Sequence, residues 1–254
     1  MKLFATDYDG TLKVDGTIQE KDLLSIYQWK AKGNLFVIDT GRSMESILEQ
    51  VQLYKLPVDY FVTNNGGMAF DASQKEIFST YLDPVMAIDI MYIAKMVGGI
   101  VSYVVNDGFY RHRIIVDDQL EEKRYPNLAP DITEAQLYAQ GKYAQIVLSM
   151  ASKEQALQLE KRINDHFADQ IVAYANQYVV DVVPKNISKA TGIARICAQH
   201  HIDKNNIYTI GDGNNDIPLI TFSPHGAAVD WASEEVKNQA SQVVGSIAEL
   251  LGGE

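Results

Sequence analysis

The sequence predicts an α/β protein with a parallel-sheet core and an inserted α+β domain. Strand and helix patterns alternate up to about Phe78, and the alternation returns after Pro184, as in a parallel sheet covered by helices. Between these stretches, strands follow one another with fewer helices, which is typical of an α+β insert. The 254 residues, 46% of them hydrophobic, are enough for two cores of modest size. We therefore expect a discontinuous core domain, residues 1–82 and 185–254, and an inserted domain, residues 83–184.

Each element is assigned from its apolar pattern. Short apolar runs predict buried strands, and longer amphipathic segments predict helices. In the core, these are a strand ending before Asp7, helices over 20–32, 44–54 and 189–200, and strands over 35–39 and 206–210. In the insert, they are helices over 84–97 and 153–167, strands over 100–105, 109–116 and 145–151, and a hairpin over 171–183. Residues 117–144, which are charged and contain Pro126 and Pro130, are expected to form a mobile loop.

Two aspartates, Asp7 and Asp9, follow the first strand. In open α/β sheets the ligand crevice lies at the carboxyl ends of the strands, so both are expected in that crevice. Carboxylates at positions i and i+2 share one side and repel, which is usually tolerated because of a cation or a divided proton role. An acidic turn built on Asp9, Gly10 and Thr11 is the alternative interpretation.

A second strand end carries Thr40, Gly41, Arg42 and Ser43 before a helical pattern. A threonine hydroxyl, backbone N–H groups and the positive end of a helix can together hold an anion. A plain helix N-cap by Ser43 explains the same residues equally well.

A third strand runs into the segment Gly211-Asp212-Gly213-Asn214-Asn215-Asp216, which brings two more carboxylates to the same edge. A calcium loop of the EF-hand type is disfavoured, because its twelfth position, counted from Asp212, is Ser223 and not a bidentate acid. Lys189 stands at the start of a helical pattern, where a solvated lysine is the alternative to a functional one.

Together these segments resemble the haloacid dehalogenase superfamily. The match extends over the whole chain, and the motifs occur in the family's order: Asp7–Thr11, Thr40–Arg42, Ser188-Lys189 and Gly211–Asp216. More narrowly, the chain resembles the Cof-type phosphatases (subclass IIB), whose Asn-Gly turn before the cap is matched by Asn64–Gly67. Asn186 and Ala190 depart from the glycines usual beside the lysine. The resemblance implies a Rossmann-like core with a C2-type cap at 83–184.

The resemblance also implies catalytic roles. Asp7 would be the nucleophile that forms an aspartyl-phosphate, and Asp9 the general acid and base. Mg²⁺ would lie between the Asp7 carboxylate, the backbone carbonyl of Asp9 and Asp212, with Asp216 as a further, water-mediated or outer ligand. Lys189 would supply positive charge to Asp7 and to the phosphoryl oxygens.

The same resemblance assigns the phosphate contacts. Thr40 and the Gly41 N–H would hold a phosphoryl oxygen, and Asn215 would orient Lys189 or the phosphate. Arg42 is a candidate substrate contact, although a structural ion pair is at least as good an interpretation.

Net charge and composition restrict the classes of partner that we expect this protein to bind. A formal net charge of −11 argues against a nucleic-acid surface, which needs clustered cations. The single cysteine, Cys197, allows no internal disulfide, and no apolar stretch approaches the roughly 20 residues of a membrane span. We expect a cytoplasmic monomer or small homo-oligomer that does not bind membranes.

The predicted function is Mg²⁺-dependent hydrolysis of small phosphate monoesters, with sugar phosphates favoured as substrates. A phosphomutase or other phosphotransferase would use the same Asp7 but must exclude water. A catalytically silent binding protein is disfavoured because Asp7 and Asp9 are both retained.

Overall fold

A computed structural model describes residues 1–167 and 169–252. The chain divides into two compact units. The first, here called the core unit, contains residues 1–42, 46–78 and those from Ser188 on; the second, the insert unit, contains 43–45 and 79–187. The predicted domain boundaries, at 82/83 and 184/185, stay a prediction.

The elements up to the middle of the chain are β1 (Leu3–Thr6), α1 (Glu20–Ala31), β2 (Leu35–Asp39), α2 (Met44–Tyr54), β3 (Tyr60–Thr63), β4 (Met68–Asp71), β5 (Glu76–Ser79), α3 (Pro84–Met96), β6 (Ile100–Asn106), β7 (Arg111–Ile115) and α4 (Glu134–Gln140). They are followed by β8 (Gln145–Met150), α5 (Lys153–Phe167), β9 (Ile171–Asn176), β10 (Val179–Pro184), α6 (Lys189–His200), β11 (Ile207–Gly211), α7 (Ile217–Ile220), β12 (His225–Val229), α8 (Glu234–Lys237), β13 (Gln242–Val244) and α9 (Ile247–Leu250). No helix in the described part of the chain is long and apolar enough to cross a membrane.

The core unit is built on a central parallel sheet, so the predicted α/β class is confirmed. The strand order is β13-β12-β11-β1-β2-β3-β4-β5, and β1 pairs in parallel with both β2 and β11. The carboxyl ends of these three strands therefore meet at the middle of one sheet edge. At the far edge, β4 pairs antiparallel with β3, which the predicted parallel sheet did not include.

Helix α6 packs closely on one face of this sheet. Apolar side chains of Ala5, Val37, Val62 and Ile193 share the core beneath it. At Gly192 an added Cβ would lie 2.4 Å from a Val62 methyl carbon, so only glycine permits this approach. The close packing holds the first residue of α6 over the strand ends.

The insert unit has a five-stranded sheet in the order β7-β6-β8-β10-β9. Its strand pairs are antiparallel, as expected for an α+β segment. Buried residues of α3, α4 and α5 pack with alternate residues of the strands, such as Tyr103, Val105 and Ile146, in one apolar cluster.

Residues 117–144 were predicted to be a loop, and this is wrong for their last part, which contains α4. The Thr133 hydroxyl accepts a hydrogen bond from the Gln136 N–H, and the Gln136 side chain accepts one from the Thr133 N–H, a capping box at the start of the helix. Gly141 ends the helix in a left-handed conformation. The preceding residues Tyr125 and Leu128 pack on the second face of the sheet, against Val104, Val147 and Val179.

Candidate active site

The first predicted motif lies where β1 ends. Asp7 is only 5% exposed, and its backbone N–H continues the sheet by donating to the Ile210 carbonyl. Lys189, the first residue of α6, is 1% exposed and lies with its Nζ 2.5 Å from Asp7 Oδ1 and 2.5 Å from Asp216 Oδ1. The interpretation of Lys189 as a solvated surface lysine is therefore wrong.

The charge of Lys189 is set by the carboxylates around it. Burial alone would lower the pKa of Lys189, but Asp216, Asp7 and Asp39 outweigh burial and hold the pKa above its usual value. Lys189 is thus an ammonium group at neutral pH. Burial and the like charges of Asp216 and Asp212 raise the pKa of Asp7, with Lys189 opposing them.

Three acids form a cluster that suits a cation. Carboxylate oxygens of Asp7, Asp212 and Asp216 lie within 4.8 Å of one another. The Asp7 Oδ2 atom is buried and has no hydrogen-bond partner among the described residues, while Asp212 Oδ1 accepts a 2.7 Å bond from Thr11. Gly10, at φ 91°, leaves the space that Asp212 needs, because a Cβ there would lie 2.5 Å from Asp212 Oδ2. A hard divalent cation with oxygen ligands, such as Mg²⁺, fits this donor set.

Asp216 is already engaged by the protein. Its Oδ1 accepts from Lys189, and its Oδ2 accepts from the N–H groups of Asp212 and Gly213 at 3.0 and 2.9 Å. These bonds shape the turn and fix Asp212 beside Asp7. Asp216 therefore orients the other groups of the cluster, and its place as an outer or water-mediated metal ligand stays a prediction.

The Asp9 side chain is not one of the three clustered acids and pairs with Arg42. Arg42 Nε and Nη2 donate to the two Asp9 oxygens at 2.6 and 2.7 Å, and the guanidinium lies 5.2 Å from the centre of the Tyr8 ring. Arg42 Nη1 also donates to Ser46 Oγ at 3.1 Å. Arg42 is thus an ion-pair partner of Asp9 in this structure, and its contact with substrate stays a prediction.

The turn after β2 brings together Thr40, Gly41 and a residue that sequence reasoning did not select, Asn65. The Asn65 N–H donates to the Thr40 carbonyl at 3.1 Å, and a Cβ at Gly41 would lie 3.1 Å from the Asn65 amide. Asn215 Nδ2 donates to Asn65 Oδ1 at 3.0 Å. The sequence signal was the run Asn64-Asn65-Gly66-Gly67, used only as a family marker.

Asp39 is a second residue that was missed. It ends β2, is 0% exposed, and neither of its carboxyl oxygens has a hydrogen-bond partner in the part of the chain that the structure describes. Burial raises the pKa of Asp39 well above its usual value, while the nearby Lys189 opposes the shift. An acid at the end of an otherwise apolar strand run was the available signal.

Comparison with known proteins adds the family. A family model described as haloacid dehalogenase-like hydrolase matches residues 4–252. The chain belongs to this family. It is 25% identical over 250 residues to 5-amino-6-(5-phospho-D-ribitylamino)uracil phosphatase YitU of Bacillus subtilis, covering 94% of this chain and 90% of the relative. The predicted family and the Cof-type resemblance are confirmed, and the chain is a hydrolase whose relatives carry phosphatase names.

Solved structures share the fold. A HAD/COF-like hydrolase from Plasmodium vivax superposes with a TM-score of 0.85 at 18% identity, covering 99% of this chain and 94% of the other. The subclass IIB sugar phosphatase BT4131 gives a TM-score of 0.79 at 22% identity, covering 98% and 95%.

Proposed function

We propose that this protein is a Mg²⁺-dependent phosphatase that hydrolyses small phosphate monoesters through an aspartyl-phosphate on Asp7. The observation that carries the proposal is the buried Asp7 carboxylate: its Oδ1 accepts from Lys189, and its Oδ2 has no hydrogen-bond partner in residues 1–167 and 169–252. The carboxylate of Asp212 lies close by. The Lys189 ammonium group therefore holds one Asp7 oxygen, and the other oxygen is available for attack on phosphorus.

The first step would be attack of an Asp7 oxygen on phosphorus, with release of the alcohol. Lys189 would offset the negative charge of the phosphoryl oxygens, and Thr40 and the Gly41 N–H would bind one of them. Asp9 is ion-paired with Arg42 in the structure, so it would first take up a proton from solvent and then give that proton to the departing oxygen. Since both Asp9 oxygens accept from Arg42, at least one of these bonds must open for the transfer.

The second step would be attack of water on the aspartyl-phosphate. Asp9 would take the proton of that water, which leaves Asp9 protonated for the next turnover and releases phosphate and Asp7. Asp7, Asp212 and the Asp9 carbonyl would hold Mg²⁺, whose positive charge would supply electrostatic stabilisation to the transferring group. Asp216 would keep Asp212 and Lys189 in position through the hydrogen bonds that its carboxylate accepts from Lys189 Nζ and from the Asp212 and Gly213 N–H groups.

Sugar phosphates are the proposed substrates, with the insert unit as the cap domain. Support comes from two relatives: YitU is named for a phosphorylated ribityl compound, and BT4131 is described as a sugar phosphatase. We propose hydrolysis and not phosphotransfer, because water accepts the phosphoryl group in any site that does not exclude it.

The test is phosphate release from a panel of sugar, polyol and nucleotide phosphates, with Mg²⁺ or with excess chelator. We expect release that requires Mg²⁺ and is abolished by Asp7→Asn. Full activity in chelator, or an Asp7→Asn enzyme with unchanged kinetics, would contradict the mechanism. Transfer of phosphate to a sugar without release would instead indicate a phosphotransferase.

A further inference from the structure

The turn that follows β3 has an unusual backbone. Asn64, Asn65 and Gly66 have φ values of 53°, 54° and 96°, three left-handed residues in succession. Asparagine and glycine tolerate this region better than other residues, yet such conformations persist only where neighbouring structure enforces them.

The enforcing contacts come from two of the predicted motifs. The Asn64 N–H donates to the Arg42 carbonyl at 3.0 Å, beside the bond from Asn65 to Thr40. On the other side, a Cβ at Gly66 would lie 1.8 Å from the Ser188 carbonyl oxygen. The turn therefore packs between the Thr40–Arg42 segment on one side and Ser188, the residue before Lys189, on the other.

The side-chain amide of Asn65 has two polar atoms, and only its oxygen has a hydrogen-bond partner among the described residues. Its Oδ1 accepts from Asn215, which fixes the orientation of the amide group. Its Nδ2 is buried, in a residue that is 1% exposed, and finds no acceptor among the described residues. Buried donors are rarely left unsatisfied, so this one points to an acceptor that a ligand would bring.

We propose that Asn65 is a substrate-binding residue that donates a hydrogen bond from Nδ2 to a phosphoryl oxygen. The inference rests on the proposed phosphatase function and adds a residue to it. The amide adjoins Gly41, the residue after Thr40, and both the Asn65 Nδ2 group and the Thr40 hydroxyl can donate a hydrogen bond. A phosphoryl group offers acceptor oxygens only, which matches this set. Asn215 then acts on the phosphate through Asn65, as a positioning residue.

Two substitutions remove the donor while keeping the turn. Asn65→Asp preserves the shape and the acceptor for Asn215, and replaces the amide nitrogen by oxygen. Asn65→Gly removes the side chain and keeps a residue that adopts positive φ freely. Gln74→Gly is the matched control, since Gln74 also has a positive φ, of 69°, and lies exposed between β4 and β5.

The measurements are kcat/KM for the best sugar phosphate, the inhibition constant of inorganic phosphate, and the rise in melting temperature that phosphate with Mg²⁺ causes. We expect both Asn65 variants to lose about 10- to 100-fold in kcat/KM and to bind phosphate more weakly, since the lost bond is to a charged acceptor. Gln74→Gly should match the wild type in all three.

Wild-type kcat/KM and phosphate affinity in both Asn65 variants would overturn the inference. A fall in kcat/KM with unchanged phosphate affinity in either folded variant would also overturn it, because a purely structural defect would then be the cause. If the wild type hydrolyses no ester, the proposed function fails. Phosphate-induced stabilisation that is present in the wild type and absent from both variants would still support Asn65 as an oxyanion ligand.

Discussion

Replacement of Lys189 by methionine tests how strongly the active-site charges depend on one another. The side chain is 1% exposed and donates to Asp7 and Asp216, both buried carboxylates. Lys189→Met keeps much of the volume and removes the charge, so two carboxylates lose their shared cation. Removing one partner of a buried ion pair costs about 3–5 kcal/mol, and loss of two charge-assisted hydrogen bonds, at about 1.5–3 kcal/mol each, is consistent with that range.

Urea unfolding followed by tryptophan fluorescence is a suitable assay, because both tryptophans, Trp29 and Trp231, belong to the core unit. We expect the unfolding free energy of Lys189→Met to be lower by about 3–5 kcal/mol at pH 7 without divalent cations. The control, Lys237→Met, removes an i,i+3 pair with Glu234, whose side chain is 83% exposed, and should cost about 0.3–0.5 kcal/mol.

Acid should reduce the penalty of Lys189→Met. The pKa of Asp7 is raised by burial, so this carboxyl takes up a proton as the pH falls toward its unfolded value of 3.8. A protonated carboxyl needs no counter-charge. An unfolding free energy equal to that of the wild type at pH 7, or a penalty that grows in acid, would refute the electrostatic reasoning.

Three further predictions follow from single carboxylates. Asp9→Asn should slow formation of the intermediate by about 10²- to 10⁴-fold with a sugar phosphate and less with p-nitrophenyl phosphate, whose leaving group needs little protonation; equal slowing in single-turnover kinetics would contradict a general acid. Asp39→Asn should leave the free energy of unfolding unchanged well below pH 3.8 and make it larger than that of the wild type as pH rises. The reason is that the pKa of Asp39 is raised by burial, so ionisation of this acid above pH 3.8 favours the unfolded wild-type chain, and asparagine removes that effect. A pH-independent difference between the two proteins in urea unfolding would exclude this. Asp212→Ala should weaken Mg²⁺ binding measured by calorimetry, whereas unchanged affinity would remove Asp212 as a ligand.

The sequence was sufficient for the three central strands of the core sheet, β1, β2 and β11, and for the residue types at their carboxyl ends. The positions of Asp7, Thr40 and Asp212 follow from local rules, since each stands directly after an apolar run that must be a buried strand. Parallel pairing of β1, β2 and β11 then brings these strand ends together without further information. Helix α4 was also predictable, because Thr133, Gln136 and Gly141 are capping residues at its two ends. The charged residues and prolines of the segment had instead led to its prediction as a loop.

Side-chain pairing between distant segments was not predictable in the same way. Asp9 and Arg42 are 33 residues apart, and only the structure shows that the guanidinium takes both oxygens of the carboxylate. The left-handed turn at Asn65 was visible as an Asn-Gly sequence, but the free amide nitrogen depends on a bond from Asn215, 150 residues away.

Asp216 shows that acids with the same predicted role in the sequence can differ in their contacts in the structure. In sequence, Asp212 and Asp216 are two carboxylates of one motif, and both are candidate metal ligands. In the structure, the oxygens of Asp216 accept hydrogen bonds from Lys189 and from two backbone N–H groups, whereas Asp7 has one oxygen without a partner among the residues that the structure describes. A carboxylate whose oxygens are already bonded must give up those bonds to bind a cation, and one with a buried unpaired oxygen gains from doing so. Metal binding should therefore depend more on Asp7 than on Asp216, although both are equally acidic residues in the sequence.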